Sequence, residues 1–185
     1  MIVKAKKDNI SNLSNLIFNA IKDVANILTG EDEEDKILQT IDQYIVMDIN
    51  RLSYNNIWIY EIQNRVVGLI ISYDSNRVEE LDSPILEHLA TKNIFIDAFD
   101  KECFADEFYI DTISVFEDFQ GKGIAKELFS FIEKHAKKLE YKKLSLLVDF
   151  DNIKALKLYE KVGFKKNTIL KISNHNYHHM IKIIF

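Results

Sequence analysis

The stretch that most constrains this chain is Gln120-Gly121-Lys122-Gly123-Ile124-Ala125, where an apolar, strand-like run from Phe108 to Val115 gives way to an amphipathic helix. Glycine lacks a Cβ, so such a turn adopts backbone angles closed to other residues and lets a ligand approach the main chain. The first amides of the helix that follows have no intrahelical partner and point outward at the positive end of its dipole. Together these features suit an anion, and a pyrophosphate above all. The stretch is not a Walker loop, because Lys122 is followed by Gly123 instead of Ser or Thr, and it lacks the third glycine of the dinucleotide pattern. By itself it is either an anion cradle or a turn that uses glycine for geometry alone.

A second constellation lies downstream. Asn152, Ala155, Tyr159, Gly163 and Phe164 read N-x-x-A-x-x-x-Y-x-x-x-G-F, on a predicted helix that follows the apolar segment Leu144 to Val148. Asn152 suits the N-cap and Gly163 the helix end. Ala155 and Tyr159 are four apart and share one face.

Strand, Q-x-x-G-x-A, helix, strand and the second motif, in that order, resemble the acetyl-CoA-binding half of the GNAT N-acetyltransferase superfamily over about residues 107–165. The resemblance implies an α/β (α+β) fold: a mixed, mostly antiparallel central sheet of six to seven strands, splayed in the middle and flanked by helices. It implies acetyl-CoA as co-substrate, without a metal, and direct acetyl transfer to a primary amine. A module that binds acyl-CoA without turnover is the alternative. Main-chain contacts to pantetheine and the acetyl carbonyl fall to Ile113, Ser114 and Val115. Gln120, Gly121, Lys122, Gly123, Ile124, Ala125 and Lys126 correspond to the pyrophosphate cradle, and Asn152, Ala155 and Tyr159 to the second helix of the site. Tyr159 is the expected proton donor to the departing thiolate. In a regularly alternating strand, Glu107, Tyr109 and Asp111 point to one side, which makes Glu107 and Asp111 the candidate general bases. Glu107 falls where histone-type members carry their base, and Asp111 lies nearer the cofactor. Asp149 is a third candidate, whereas Leu147 replaces the glutamate of ribosomal-protein acetyltransferases.

Composition fits one domain spanning 1–185, since 47% apolar and 29% charged residues are ample for a core and too hydrophobic for a disordered chain. Cys103 has no internal partner and is expected to be a structural thiol in a reducing, cytoplasmic setting. No apolar run approaches the roughly 20 residues a membrane span needs. A net charge of −5 and a pI near 5.6 argue against nucleic acid as a partner and for a cationic acceptor, a small molecule or a peptide. Either a monomer or a homodimer is expected. The acidic run Glu31 to Asp35 either favours a first helical turn or attracts such an acceptor.

Periodicity gives the rest. Ile2 to Ala5 is a short strand, and Ile10, Leu13, Leu16, Ile17, Ala20, Ile21, Val24 and Ile27 mark one helix up to Gly30. A second helical segment carries Ile37, Leu38, Ile41, Tyr44 and Ile45. Ile57 to Glu61 and Val66 to Tyr73 form a predicted hairpin around Gln63-Asn64-Arg65. Residues 78–104 depart most from the family order, with a helix over Val78 to Ala90 that Asp82-Ser83-Pro84 is expected to break. The core face of the helix from Lys122 to Leu139 is predicted as Ile124, Leu128, Phe131, Ile132, Ala136 and Leu139. His178 and His179, adjacent in a final strand, face opposite ways and do not suit one metal site.

Overall fold

The computed structural model describes residues 1–7 and 12–185. Ile10, expected to open the first helix, lies outside the described residues. Alternating apolar runs build β1 (Ile2–Lys4), β2 (Ile57–Ile62), β3 (Arg65–Asp74), β4 (Phe108–Val115), β5 (Lys143–Asp149), β6 (Lys165–Ile172) and β7 (His175–Ile183). They form one sheet in the order β1-β2-β3-β4-β5-β7-β6, antiparallel except for the parallel pair β4 and β5. Its two edges are therefore the three-residue β1 and the exposed β6.

Helices cover both faces. On one side lie α1 (Leu13–Ile21), α2 (Ala25–Thr29), α3 (Glu34–Val46) and α4 (Val78–Thr91), which pack Leu16, Ile41 and Ile85 against Leu69, Ile71, Tyr73 and Tyr109. On the other lie α5 (Ile124–Lys138) and α6 (Ile153–Lys161), which pack against Phe108, Ile110, Leu144, Leu146 and Met180. The single predicted first helix is divided by a 3-10 turn, Lys22–Val24. The hairpin turn is Gln63-Asn64, both at positive φ, with Arg65 already in β3.

Two expectations are corrected. Helix α4 runs unbroken through Pro84, although proline removes a backbone donor and crowds the preceding turn. Leu81, Ile85 and Leu89, spaced by four, are each at most 1% exposed, and burying that stripe outweighs the local cost of the proline. In α5 the buried face includes Phe129. Leu139 follows the helix and is 50% exposed, while Phe131 packs on Trp58 with ring centroids 4.7 Å apart.

Strand β4 positions the site. It pairs with β3 along its length but with β5 only at Phe108, Tyr109 and Ile110. Opposite β3, Ile71 pairs with Thr112 and Ser72 with Ile110, so Asp111 is the extra residue of a β-bulge. Side-chain alternation holds as far as Asp111 and then reverses. Ile113 and Val115 consequently pack on the α5/α6 side with Phe108 and Ile110. Past the bulge the two parallel strands part.

Candidate active site

Beside the end of β4 that is unpaired toward β5 lies a cavity of about 770 Å³, within the size range of small-ligand pockets. One wall is Ile113, Ser114 and Val115 of β4. The floor is the turn into α5, where Gly121 and Gly123 have φ of 75° and 87° and face open space. Gly123 occupies the N-cap without a side-chain cap, so the first amides of α5 remain available to an anion. Gln120 fastens the turn, since its Nε2 donates to the Val115 carbonyl at 3.1 Å and its Oε1 accepts from Lys154 Nζ at 2.9 Å. The opposite wall is α6, capped by Asn152, whose Oδ1 accepts from the Ala155 amide at 3.0 Å. Asn19 and Ala20 of α1 close the side.

Tyr159 projects from α6 into this cavity, its ring held edge-on by Phe129 at 5.6 Å. Burial pushes its phenol up to about 12, so it is protonated across the neutral range. Among the described residues its hydroxyl has no hydrogen-bond partner.

Residues 21–164 match the model of the Acetyltransferase (GNAT) family. The chain belongs to the GNAT acetyltransferase family. Similarity to an N-acetyltransferase crystal structure from Staphylococcus aureus Mu50 covers 98% of this chain and 99% of that one, at 30% identity and a TM-score of 0.85. A curated relative, the uncharacterized N-acetyltransferase YycN of Bacillus subtilis, is 34% identical over 64 residues, which span 35% of this chain and 41% of the relative. A GNAT acetyltransferase from Elizabethkingia anophelis with acetyl-CoA bound shares the fold at 16% identity and a TM-score of 0.59, over 100% of this chain and 97% of that one.

In this GNAT protein the motif residues Ile113 to Val115, Gln120, Gly121, Gly123 to Lys126, Asn152, Ala155 and Tyr159 all border one cavity. Lys122 does not border it. Its ammonium lies over the Phe119 ring, 4.8 Å from the centroid. Lys154 and Lys161 do border it and carry no motif signature, so spacing alone left them out.

The two candidate bases stand apart from each other. Glu107 is 2% exposed, with Oε2 3.1 Å from His179 Nε2 and accepting from the Phe104 amide at 3.0 Å. Burial raises its carboxyl, but the bonds from His179 and Phe104 outweigh that, and the net shift is downward. His179 is fully buried between Glu107 and Asn167, while His178 stacks on Phe150 on the other face.

Asp111 belongs to a buried cluster around Arg51. Arg51 Nε lies 3.1 Å from Asp111 Oδ2, Nη1 donates to Glu102 Oε1 at 3.0 Å, and both Nε and Nη2 reach the Tyr73 hydroxyl. Tyr73 donates to the same Asp111 oxygen, Tyr109 donates to Glu102 at 2.7 Å, and Asp82 Oδ1 lies 3.4 Å from Arg51. The second oxygen of Asp111 accepts only from Thr112 among the described residues. Burial raises the Asp82 carboxyl to about 6 although Arg51 opposes it. Cys103, buried beside the cluster, is pushed up to about 12 by the same desolvation and holds its proton at neutral pH.

In the acidic run 31–35, Glu31 is paired with Lys92 and Glu33 with Lys36, while Glu34 and Asp35 stand in the first turn of α3. None of the cluster partners of Asp111 was visible to motif spacing. One signal was available: the chain has three arginines among its 24 basic residues, and a forked donor is demanded where one carboxylate is not enough.

Proposed function

We propose that this protein transfers the acetyl group of acetyl-CoA directly to a primary amine of a small molecule or peptide, cationic at neutral pH. The observation that carries the reading is the convergence of three groups on one cavity: β4 backbone left unladdered on its β5 side, uncapped α5 amides and the hydroxyl of Tyr159, which has no partner among the described residues. Pantetheine fits as a strand-like filler between β4 and β5, and the pyrophosphate fits the turn at Gly121 and Gly123.

The acceptor first loses a proton. A lysine-like amine has a pKa near 10.4, so its neutral form at pH 7 costs about 4.6 kcal/mol. Asp111 lies two residues before the cavity-lining Ile113, and its Oδ1 has a lone pair left for a water that would bridge to the amine, whereas Glu107 is committed to His179. The neutral nitrogen attacks the thioester carbonyl, giving a tetrahedral intermediate. As the C–S bond breaks, Tyr159 gives its proton to sulfur, and the phenolate recovers one from the new N–H through water. The products are the amide and free CoA thiol, and no acyl-enzyme forms.

Release of thiol from acetyl-CoA in the presence of an amine panel tests this. Amine-dependent thiol release and a matching mass increase of 42 Da on the amine are the expected result. Tight acetyl-CoA binding with no turnover on any amine rejects transfer in favour of an acyl-CoA-sensing module.

A further inference from the structure

Strand β4 reverses its side-chain phase at Asp111, and the groups that hold Asp111 there come from outside β4 apart from neighbouring Thr112. Arg51 lies in the connection between α3 and β2, only 4% exposed. Its backbone is itself fixed. Asn50 donates to the Tyr44 carbonyl at 2.8 Å and accepts from the Leu52 amide at 2.8 Å, and Asn56 donates to the Asn50 carbonyl at 2.9 Å. A rigid loop thus presents a guanidinium to one oxygen of one strand residue.

We propose that Arg51 is a positioning residue of the donor slot: by gripping Asp111 it fixes the bulge from which β4 leaves β5 and turns Ile113 and Val115 toward α5 and α6. The inference rests on reading the slot as the acetyl-CoA site. Asp111 could satisfy its carboxylate in water, so its burial against Arg51 and Tyr73 is a choice of geometry. A bulge relaxed by one residue would flip every side chain beyond it to the opposite face. Ile113 and Val115 would then leave the α5/α6 core, and the slot wall would change.

The same cluster assigns a role to residues 78–107. Helix α4 contributes Asp82 and the following loop contributes Glu102, the two further carboxylates around Arg51. Three carboxylates to one guanidinium leave buried charge uncompensated, a poor arrangement for stability. An arginine fork shared by several acceptors is, however, a stiff one, because no single partner can drag it away. Segment 78–107 therefore acts as a brace that holds Arg51 against the bulge from behind.

Calorimetric titration with acetyl-CoA tests this, on wild type, Arg51→Met and Arg51→Lys, at a temperature where circular dichroism reports each fully folded. Tyr44→Phe is the control, since it loses a buried hydroxyl bond to the Leu28 carbonyl in the same core and keeps the backbone carbonyl that receives Asn50. Arg51→Met is expected to weaken acetyl-CoA about tenfold or more through misplacement of the slot wall. Arg51→Lys falls between, because an ammonium keeps the charge but lacks the planar fork that meets Asp111 and Glu102 from two separate nitrogens. Tyr44→Phe should lower Tm and leave the Kd unchanged. An unchanged Kd in Arg51→Met overturns the proposal and reduces Arg51 to a stabilising ion pair. If Arg51→Met does not fold, Tyr73→Phe, which removes only the hydroxyl between Arg51 and Asp111, decides the matter by the same criterion. Failure of wild type to bind acetyl-CoA rejects the donor reading itself, before any variant is made.

Discussion

Strand β4 contains two regions of opposite character. Phe108, Tyr109 and Ile110 pair on both sides and are at most 4% exposed, whereas beyond the bulged Asp111 the residues Thr112 to Val115 pair on the β3 side alone, and Ile113, Ser114 and Val115 line a cavity. In the first region the backbone is spent on the sheet, and side chains decide stability. In the second, backbone groups are left over, and a ligand can use them. The boundary is a single bulged residue whose carboxylate is held by Arg51 and Tyr73. Incomplete pairing here is a built feature, and charge is placed where it begins.

The sharpest test of the open half is chemical. Tyr159→Phe removes the cavity's phenol and is expected to cut turnover by about 10²–10⁴-fold with little change in acetyl-CoA affinity, read as kcat against Kd. Unchanged turnover removes Tyr159 from the acid role. A second test probes the boundary. Asp82 has its folded pKa raised from 3.8 to about 6, so the folded state holds a proton there that the unfolded state has lost. Stability tied to Asp82 is complete below about pH 4, falls as pH rises toward 6, and stays lost above it. Asp82→Asn should flatten that slope and raise stability at pH 7 by about 3 kcal/mol, measured by urea unfolding across pH. A variant less stable than wild type at pH 7 contradicts this. The smallest effect concerns the cavity's far wall. Asn152→Ala deletes the cap of α6 and should cost about 1 kcal/mol of stability while leaving the β4 side untouched, so acetyl-CoA binding should weaken only slightly.

Those tests also separate what was legible in the sequence from what was not. The glycine turn, the Asn152 cap and the place of Tyr159 on the face of Ala155 are local: the residues that make each feature lie within a few positions of one another. Arg51, Tyr73, Asp82, Glu102 and Asp111 come from five separate stretches of chain, and no period or spacing links them. Pro84 and Leu139 mark a second limit. The proline rule concerns backbone donors, yet the stripe Leu81, Ile85 and Leu89 decided α4, and the helical phase of α5 selected Phe129 over the residue just past its end. Local rules read the turns and caps well, while packing between distant elements chose the rest.

The ends of the sheet carry a consequence for how these molecules behave in company. An open strand offers unpaired donors and acceptors to any passing strand, including that of another copy. At one end β1 is only three residues long, with the Met1 ammonium already donating to the Glu61 carbonyl at 2.8 Å. At the other, β6 interrupts its apolar residues with Lys165, Lys166 and Lys171, so a second β6 laid alongside meets like charge. A sheet that must keep one gap open in its middle thus discourages strangers from docking at its rims, and a concentrated solution has less cause to grow fibres.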